Sequence, residues 1–325
     1  MNRTGAEQLQ GVLFAVIATF CWASNFISPY VTGAFSIYDL VLVRYLFVGV
    51  LGVMGVYWYR RQVQRLSWRQ CLLGMTLGTL GYLFYSMLIA GSVIFGGPTM
   101  IAAFIGCVPA LQATVGNLNA RHLSWSHLAV ALALLSLGLV LINLEVLGAE
   151  RDGQSGALGL LFCTGSVATW ICFSVINQKA LAQLPDEAMN AWTSLMMVGA
   201  GVVMLLLMPA MLGLNLLTLT AETVLSPQAL TLYGWAMAIG LFSSIVGAGA
   251  WNVASSRLPM VLSGQLIALE SVFAVMLGLA FIGRMPSLLE VLGLLLVLAG
   301  TLYAIRQCLA PTLRLVSTPN HGTCE

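Results

Sequence analysis

Long apolar stretches alternate with short polar ones along almost the whole chain. Ten of them fall near residues 11–31, 36–58, 71–92, 98–119, 126–145, 156–177, 188–208, 231–254, 259–282 and 287–305. Each approaches the roughly 20 apolar residues that a helix needs to cross a hydrocarbon core about 30 Å thick. The runs are too long for barrel strands and do not alternate residue by residue. Helices are then the remaining way to satisfy backbone polar groups in lipid. The pattern therefore predicts an all-α membrane protein of ten transmembrane helices. The segment 209–230, bracketed by Pro209 and Pro227, is only moderately apolar and reads as a long loop. The first span is too long for the apolar core of a signal peptide and carries Trp22 and Asn25, so no cleaved leader is expected.

Charge agrees with this picture. Only 7% of residues are Asp, Glu, Lys or Arg, against about 25% in soluble domains, and 59% are hydrophobic. The basic residues then set the orientation. With the N-terminus in the cytoplasm, Arg3, Arg60, Arg61, Arg65, Arg69, Arg121, Lys179, Arg257, Arg306 and Arg314 all fall on the cytoplasmic side. Only Arg151 and Arg284 fall outside, and Arg44 lies within the second span. This excess of basic residues predicts that both termini are cytoplasmic. Loops 32–36, 93–97, 146–155 and 209–230 are expected to face outward, and 307–325 to be a disordered cytoplasmic tail. The expected location is a bacterial-type inner membrane.

The two halves of the chain resemble each other. One repeat runs over 11–145 and the other over 156–306. The fourth and ninth spans both enter from a proline, Pro98 and Pro259, and both close with a short basic turn. The third and eighth share glycines followed by an aromatic–polar pair, Tyr85-Ser86 and Trp251-Asn252. The first and sixth share a mid-span tryptophan, Trp22 and Trp170. Five helices per repeat is an odd number, so the halves must insert with opposite topology. Such inverted repeats are a transporter architecture, with the substrate site near the midplane between the halves.

Several segments carry a resemblance to a known family. They are CWASNF at 21–26, LVRYLFVGVL at 42–51, and the two closing turns ARHLSW and GRMPS. In order and spacing they resemble the drug/metabolite transporter superfamily, in particular its ten-helix EamA-type branch. Within that branch the chain is most similar to the YddG-type amino acid exporters. The resemblance implies a secondary transporter exporting small solutes, aromatic or neutral amino acids first, by alternating access. Multidrug or lipophilic-cation export is the rival within the same superfamily. The chain departs from the family twice. A glutamate usual after glycine in both closing turns is absent at Ala120-Arg121 and Gly283-Arg284. Glu270 also stands where the first half keeps Pro109.

Glu270 is the only carboxylate deep in a predicted span. A charge there costs about 2.5–3.5 kcal/mol on insertion scales, so it must face a cavity, a partner or the bundle interior. It either binds a substrate ammonium or a proton, or is a buried hydrogen-bonded group. Arg44 is the matching cation. It pairs with Glu270, binds a substrate carboxylate, reaches toward Asp39, or tethers helices. Trp22, Asn25 and Phe26 share one helical face, as do Trp170, Ser174 and Asn177. With Tyr82, Tyr85, Ser86, Trp251, Asn252 and Gln265 they are expected to line a cavity for a flat solute. Gln112, Gly116 and Asn119 follow one face of the fourth span and suit either substrate contact or helix packing. Pro98, Pro109 and Pro259 are expected kinks. Seven cysteines and three histidines show no metal spacing, and no cofactor is expected. There is no Walker motif, HExxH, GxSxG or carboxylate pair, so an enzyme is not expected. The partners expected are a small-molecule substrate such as an amino acid, and membrane lipid. No nucleic-acid partner is expected, and the chain is self-contained enough to work as a monomer.

Overall fold

The computed structural model describes residues 5–120, 123–147 and 156–317. They form helices throughout, with no strand among the described residues. We number the membrane-depth helices α1 (Gly5–Val31), α2 (Ile37–Trp58), α3 (Trp68–Gly97), α4 (Phe104–Leu118), α5 (Trp125–Ile142), α6 (Gly156–Leu181), α7 (Asp186–Gly213), α8 (Pro227–Arg257), α9 (Met260–Phe281) and α10 (Leu288–Cys308). Among the described residues nine are long and apolar enough to cross a membrane, and α4 is a shorter apolar helix. The α10 backbone stays helical to Ser317, into the segment expected to be a tail. Residues 318–325 lie outside the described part.

Helix starts follow local capping chemistry. Ser36 caps α2, and Asp39 completes a capping box with it. The buried Asp39 carboxylate also accepts from the Thr218 and Leu219 backbone N–H groups, at 3.0 and 3.1 Å, and from the Thr218 hydroxyl at 2.6 Å. The long loop after α7 is thereby fastened to the start of α2. Ser67 and Gln70 cap α3 in the same way, and Ser226 with Pro227 starts α8.

Three irregularities were not expected. The predicted loop 93–97 is no loop, because the helix runs on and bends at Gly97, whose φ of 76° lies in the left-handed region that favours glycine. The Pro98 side chain lies outside the described residues. Pro259 is no kink either: it sits at the N-cap of α9 in extended backbone, where its missing N–H costs nothing. Pro109 keeps its place inside a helix. Finally, α3 and α8 each contain a π-helical stretch, at Thr79–Phe84 and Gly240–Gly247, while α1 passes through a 3₁₀ turn at Ser24–Ile27.

The packing is regular. α2 lies on α7, α5 on α10, α4 on α9, α1 on α8, and α6 on α3 and the helix that continues it. In addition α3 touches α7 and α8 touches α2. Exchanging each helix with the one five places on maps this set of contacts onto itself. Gly49 of α2 and Gly201 of α7 meet face to face; a Cβ on either falls within 2.7 Å of the other's Cα. Gly138 of α5 and Gly293 of α10 meet in the same reciprocal way, each Cβ reaching the other's carbonyl. The start of α1 and the end of α10 lie on one face. Gly11 of α1 packs on Leu258 there, and Cys308 of α10 lies beside Leu128 and Val261. We call this the termini side and its opposite the far side.

Lipid offers apolar side chains as good an environment as a neighbouring helix does, so close approach at small residues carries the association. Gly201→Val puts methyl groups onto the Gly49 backbone. It is expected to destabilise the fold by about 1–3 kcal/mol, read as a lowered thermal unfolding midpoint in detergent. Gly213→Val, where a Cβ meets nothing, is expected to leave the midpoint unchanged.

Candidate functional site

The irregular turns of α1, α3 and α8 surround one aromatic cluster at mid-depth. Trp22 packs edge-on against Trp170 with ring centroids 5.3 Å apart, and 5.1 Å from Trp251. Tyr85 lies 5.1 Å from Trp170, which in turn lies 5.3 Å from Phe173. Aromatic pairs at these spacings attract through ring quadrupoles as well as by burial. Of the predicted aromatic residues, Trp22, Tyr85, Trp170 and Trp251 are therefore brought together. Tyr82 meets the cluster at Phe173, with ring centroids 5.3 Å apart. Phe26 does not join it and stays 36% exposed. The 3₁₀ turn winds by about 120° per residue instead of 100°, which breaks the face that Trp22, Asn25 and Phe26 were expected to share.

The π-helical stretches explain much of the wiring. A π turn shifts the backbone bonding pattern and frees a carbonyl for another donor. The Trp22 indole Nε1 donates to the Ser243 carbonyl at 3.2 Å, and the Tyr45 hydroxyl donates to the Tyr82 carbonyl at 2.7 Å. Tyr45 also bonds the Ser86 hydroxyl at 2.8 Å. Glycines make room for rings in both stretches. Gly247 sits under the Trp22 ring and Gly81 under the Phe173 ring. Phe173 on Gly81 thus packs as Trp22 does on Gly247.

Arg44 pairs with neither carboxylate. Its Nε donates to Ser244 at 2.9 Å, one terminal nitrogen to Ser243 at 3.0 Å and the other to Asn25 at 2.8 Å. It binds α2 to the 3₁₀ turn of α1 and the π stretch of α8. Asp39 is spent on the α7–α8 loop, as described above. Among the described residues Arg44 is solvated by neutral oxygens only, which favours the tether over the ion pair.

On the termini side of the cluster a second polar network closes the bundle. The Asn177 amide donates to the Asn252 carbonyl oxygen at 3.0 Å. Asn177 accepts from the Trp192 indole at 3.1 Å, and Asn252 donates to Thr193 at 2.8 Å. Gln112 accepts from Trp170 at 2.9 Å and from Ser174 at 3.1 Å. Gln112, Asn177, Asn252 and Gln265 are all at most 1% exposed. Gln265 donates to the Val261 carbonyl, while its own Oε1 has no hydrogen-bond partner among the described residues. The side chain of Asn119 lies outside the described residues.

Toward the far side the side chains open. Asn25, Tyr85, Ser86 and Glu270 are all partly exposed. Glu270 follows a break in α9 at Ile267, and its backbone N–H bonds the Ile267 carbonyl. Among the described residues its carboxylate has no hydrogen bond and no ion pair, and it lies within electrostatic reach of Tyr85. The site is thus an aromatic cluster with one uncommitted carboxylate near its Tyr85 edge. Tyr45, Trp192, Thr193 and Ser243 were not expected here. They look like ordinary span residues, and only the partners across helices give them a part.

Residues 157–306 match the EamA-like transporter family. The match covers the second half of the chain, α6 to α10, and the whole is a multi-pass inner-membrane protein. More particularly, the chain is similar to the inner membrane protein YtfF of Escherichia coli (strain K12). It is 27% identical over 306 residues, spanning 92% of this chain and 95% of that protein. A solved crystal structure shares the fold at a TM-score of 0.70 with 18% identity, covering 94% of this chain and 99% of the other.

Arg44→Lys keeps the charge but cannot hold the three bonds of the planar guanidinium. It is expected to cost about 1.5–3 kcal/mol for each bond to the charged group that is lost. Thermal unfolding of the purified variant checks this.

Proposed function

We propose that this protein is a secondary transporter that exports small organic solutes, aromatic or neutral amino acids first among them. The carrying observation is Glu270: a carboxylate at a helix break, without a partner among the described residues, within electrostatic reach of Tyr85 at the edge of the aromatic cluster. Such a group is costly at membrane depth and is retained where it meets a ligand. In this reading the substrate ammonium binds Glu270, and its ring lies against Tyr85, the partly exposed member of the cluster that Trp22, Trp170 and Trp251 back. Arg44 uses three of its five N–H donors, which leaves two for a substrate carboxylate. Asn25 and Ser86 border the same opening.

Movement follows from the same parts. The reciprocal contacts of α2 with α7 and α5 with α10 support two five-helix halves related by an axis in the membrane plane. Rocking of one half on the other alternately closes the Asn177–Asn252 network and the far side. The described conformation is closed on the termini side. With the termini in the cytoplasm, as the basic residues favour, it is the outward-facing state. The 3₁₀ turn, the two π stretches and the break at Ile267 are where helices give. Transport direction rests on the family resemblance, and the matched domain supports the transporter class.

A second reading is export of lipophilic cations. Among the described residues the only side-chain cation near the cluster is already bonded three times, and a carboxylate near an aromatic cluster favours a positive ligand.

Counterflow separates the two. Proteoliposomes loaded with unlabelled phenylalanine are expected to accumulate labelled phenylalanine, and Glu270→Gln is expected to abolish at least about 90% of this. Tyr85→Phe is expected to weaken it less. A silent phenylalanine assay together with Glu270-dependent uptake of labelled tetraphenylphosphonium would replace the first reading by the second. Silence with both would remove the transport site from Glu270.

A further inference from the structure

The hydrogen bonds made by α7 on the termini side are repeated by α2 on the far side. Two neighbouring residues of α7, Trp192 and Thr193, hold Asn177 of α6 and Asn252 of α8. Two neighbouring residues of α2, Arg44 and Tyr45, hold Asn25 of α1 and Ser86 of α3, each at 2.8 Å. These helices change places under the five-helix exchange that maps the packing onto itself. Glycines mark the same positions. A Cβ on Gly74 of α3 falls 3.3 Å from the Trp192 ring, and one on Gly240 of α8 falls 3.6 Å from the Arg44 side chain. By these bonds, Asn25 and Ser86 hold the places on the far side that Asn177 and Asn252 hold on the termini side.

One bond differs. Asn177 donates through Nδ2 to Asn252 Oδ1 at 3.0 Å, and both residues are buried. Asn25 and Ser86 are partly exposed and share no hydrogen bond among the described residues. The atoms for that bond are nevertheless in reserve. Asn25 accepts from Arg44 at Oδ1, just as Asn177 accepts from Trp192, and its Nδ2 has no hydrogen bond among the described residues. The Tyr45 hydroxyl gives its one proton to the Tyr82 carbonyl, so Ser86 donates to Tyr45 and keeps lone pairs with which to accept.

We propose that Asn25 and Ser86 are the two halves of the far-side gate, and that the Asn25 amide donates to the Ser86 hydroxyl when Asn177 and Asn252 part. This rests on the rocking of two halves set out under the proposed function. One bond between helices forms as the other breaks, so neither state leaves an extra polar group unserved at membrane depth. The opening that Asn25, Ser86 and Glu270 share is then sealed from the far side while the termini side opens.

The test is thiol bridging, which needs no solute. The seven native cysteines are replaced by alanine in the full-length protein. Asn25→Cys and Ser86→Cys are then introduced together, and the purified protein is treated with mercuric ion, which joins two thiols only where they meet. Bridging is expected, and Asn252→Ser, which gives the termini side the weaker pair, is expected to raise it roughly 2- to 10-fold, the weight of one hydrogen bond. A second arm keeps Asn25 and its bond to Arg44. Ser86→Asn gives the far side the same amide pair as the termini side, and is expected to raise maleimide labelling of Ser255→Cys by a similar factor, because Ser255 is buried in the closed termini side. Bridging that is absent, or not raised by Asn252→Ser, would overturn the gate pair, and so would unchanged labelling in folded Ser86→Asn. Bridging with silent phenylalanine counterflow would remove the solute assignment alone. Active counterflow without bridging would remove the gate pair alone.

Discussion

In a bilayer, an apolar side chain gains little by leaving lipid for another helix. What holds this bundle together is therefore close backbone contact and the few hydrogen bonds made between helices. Gly49 against Gly201 and Gly138 against Gly293 supply the first. Arg44, Tyr45, Trp22 and the Asn177–Asn252 pair supply the second. Every other feature of the fold depends on these two kinds of contact. They bring α2 onto α7 and α5 onto α10, and they hold α1, α3, α6 and α8 around one aromatic centre.

The same constraint explains why backbone irregularity and polar side chains coincide. A carbonyl released by a π turn has no water at membrane depth, so a neighbouring helix must serve it. Trp22 and Tyr45 do so. The residues that rescue the backbone are thereby drawn to the place where helices bend, which is where the proposed solute site lies. Glu270, after the break in α9, belongs to the same logic.

Much of the fold was legible in the chain because length and apolarity alone define a span. The aromatic centre was legible for a related reason: Trp22, Tyr85, Trp170 and Trp251 are large amphipathic side chains far from span ends. What stayed hidden depends on distance between helices. Nothing in LVRYLF says that Arg44 reaches Asn25 and two serines instead of Glu270. Trp192 and Thr193 sit in an apolar run and show no signal of their own. The 3₁₀ turn at Ser24–Ile27 contains neither glycine nor proline, so the shared face inferred for Trp22 and Phe26 dissolved. The bend at Gly97 was mistaken for a loop because helices that continue through a glycine and helices that stop there have the same composition.

The paired π stretches have a consequence for how such a chain tolerates change. Each π turn is a helix that has absorbed one surplus residue. Removing one residue from 240–247 would let α8 relax to an ordinary α-helix without losing the span. The wide turn already takes up that residue's rotation, so Trp251 and Asn252 would keep facing the centre, and what would go is the carbonyl that the turn frees for Trp22. In this bundle the surplus residue is a spare: the wide turn carries it without changing which faces look inward on either side, and gives it over to a bond between helices.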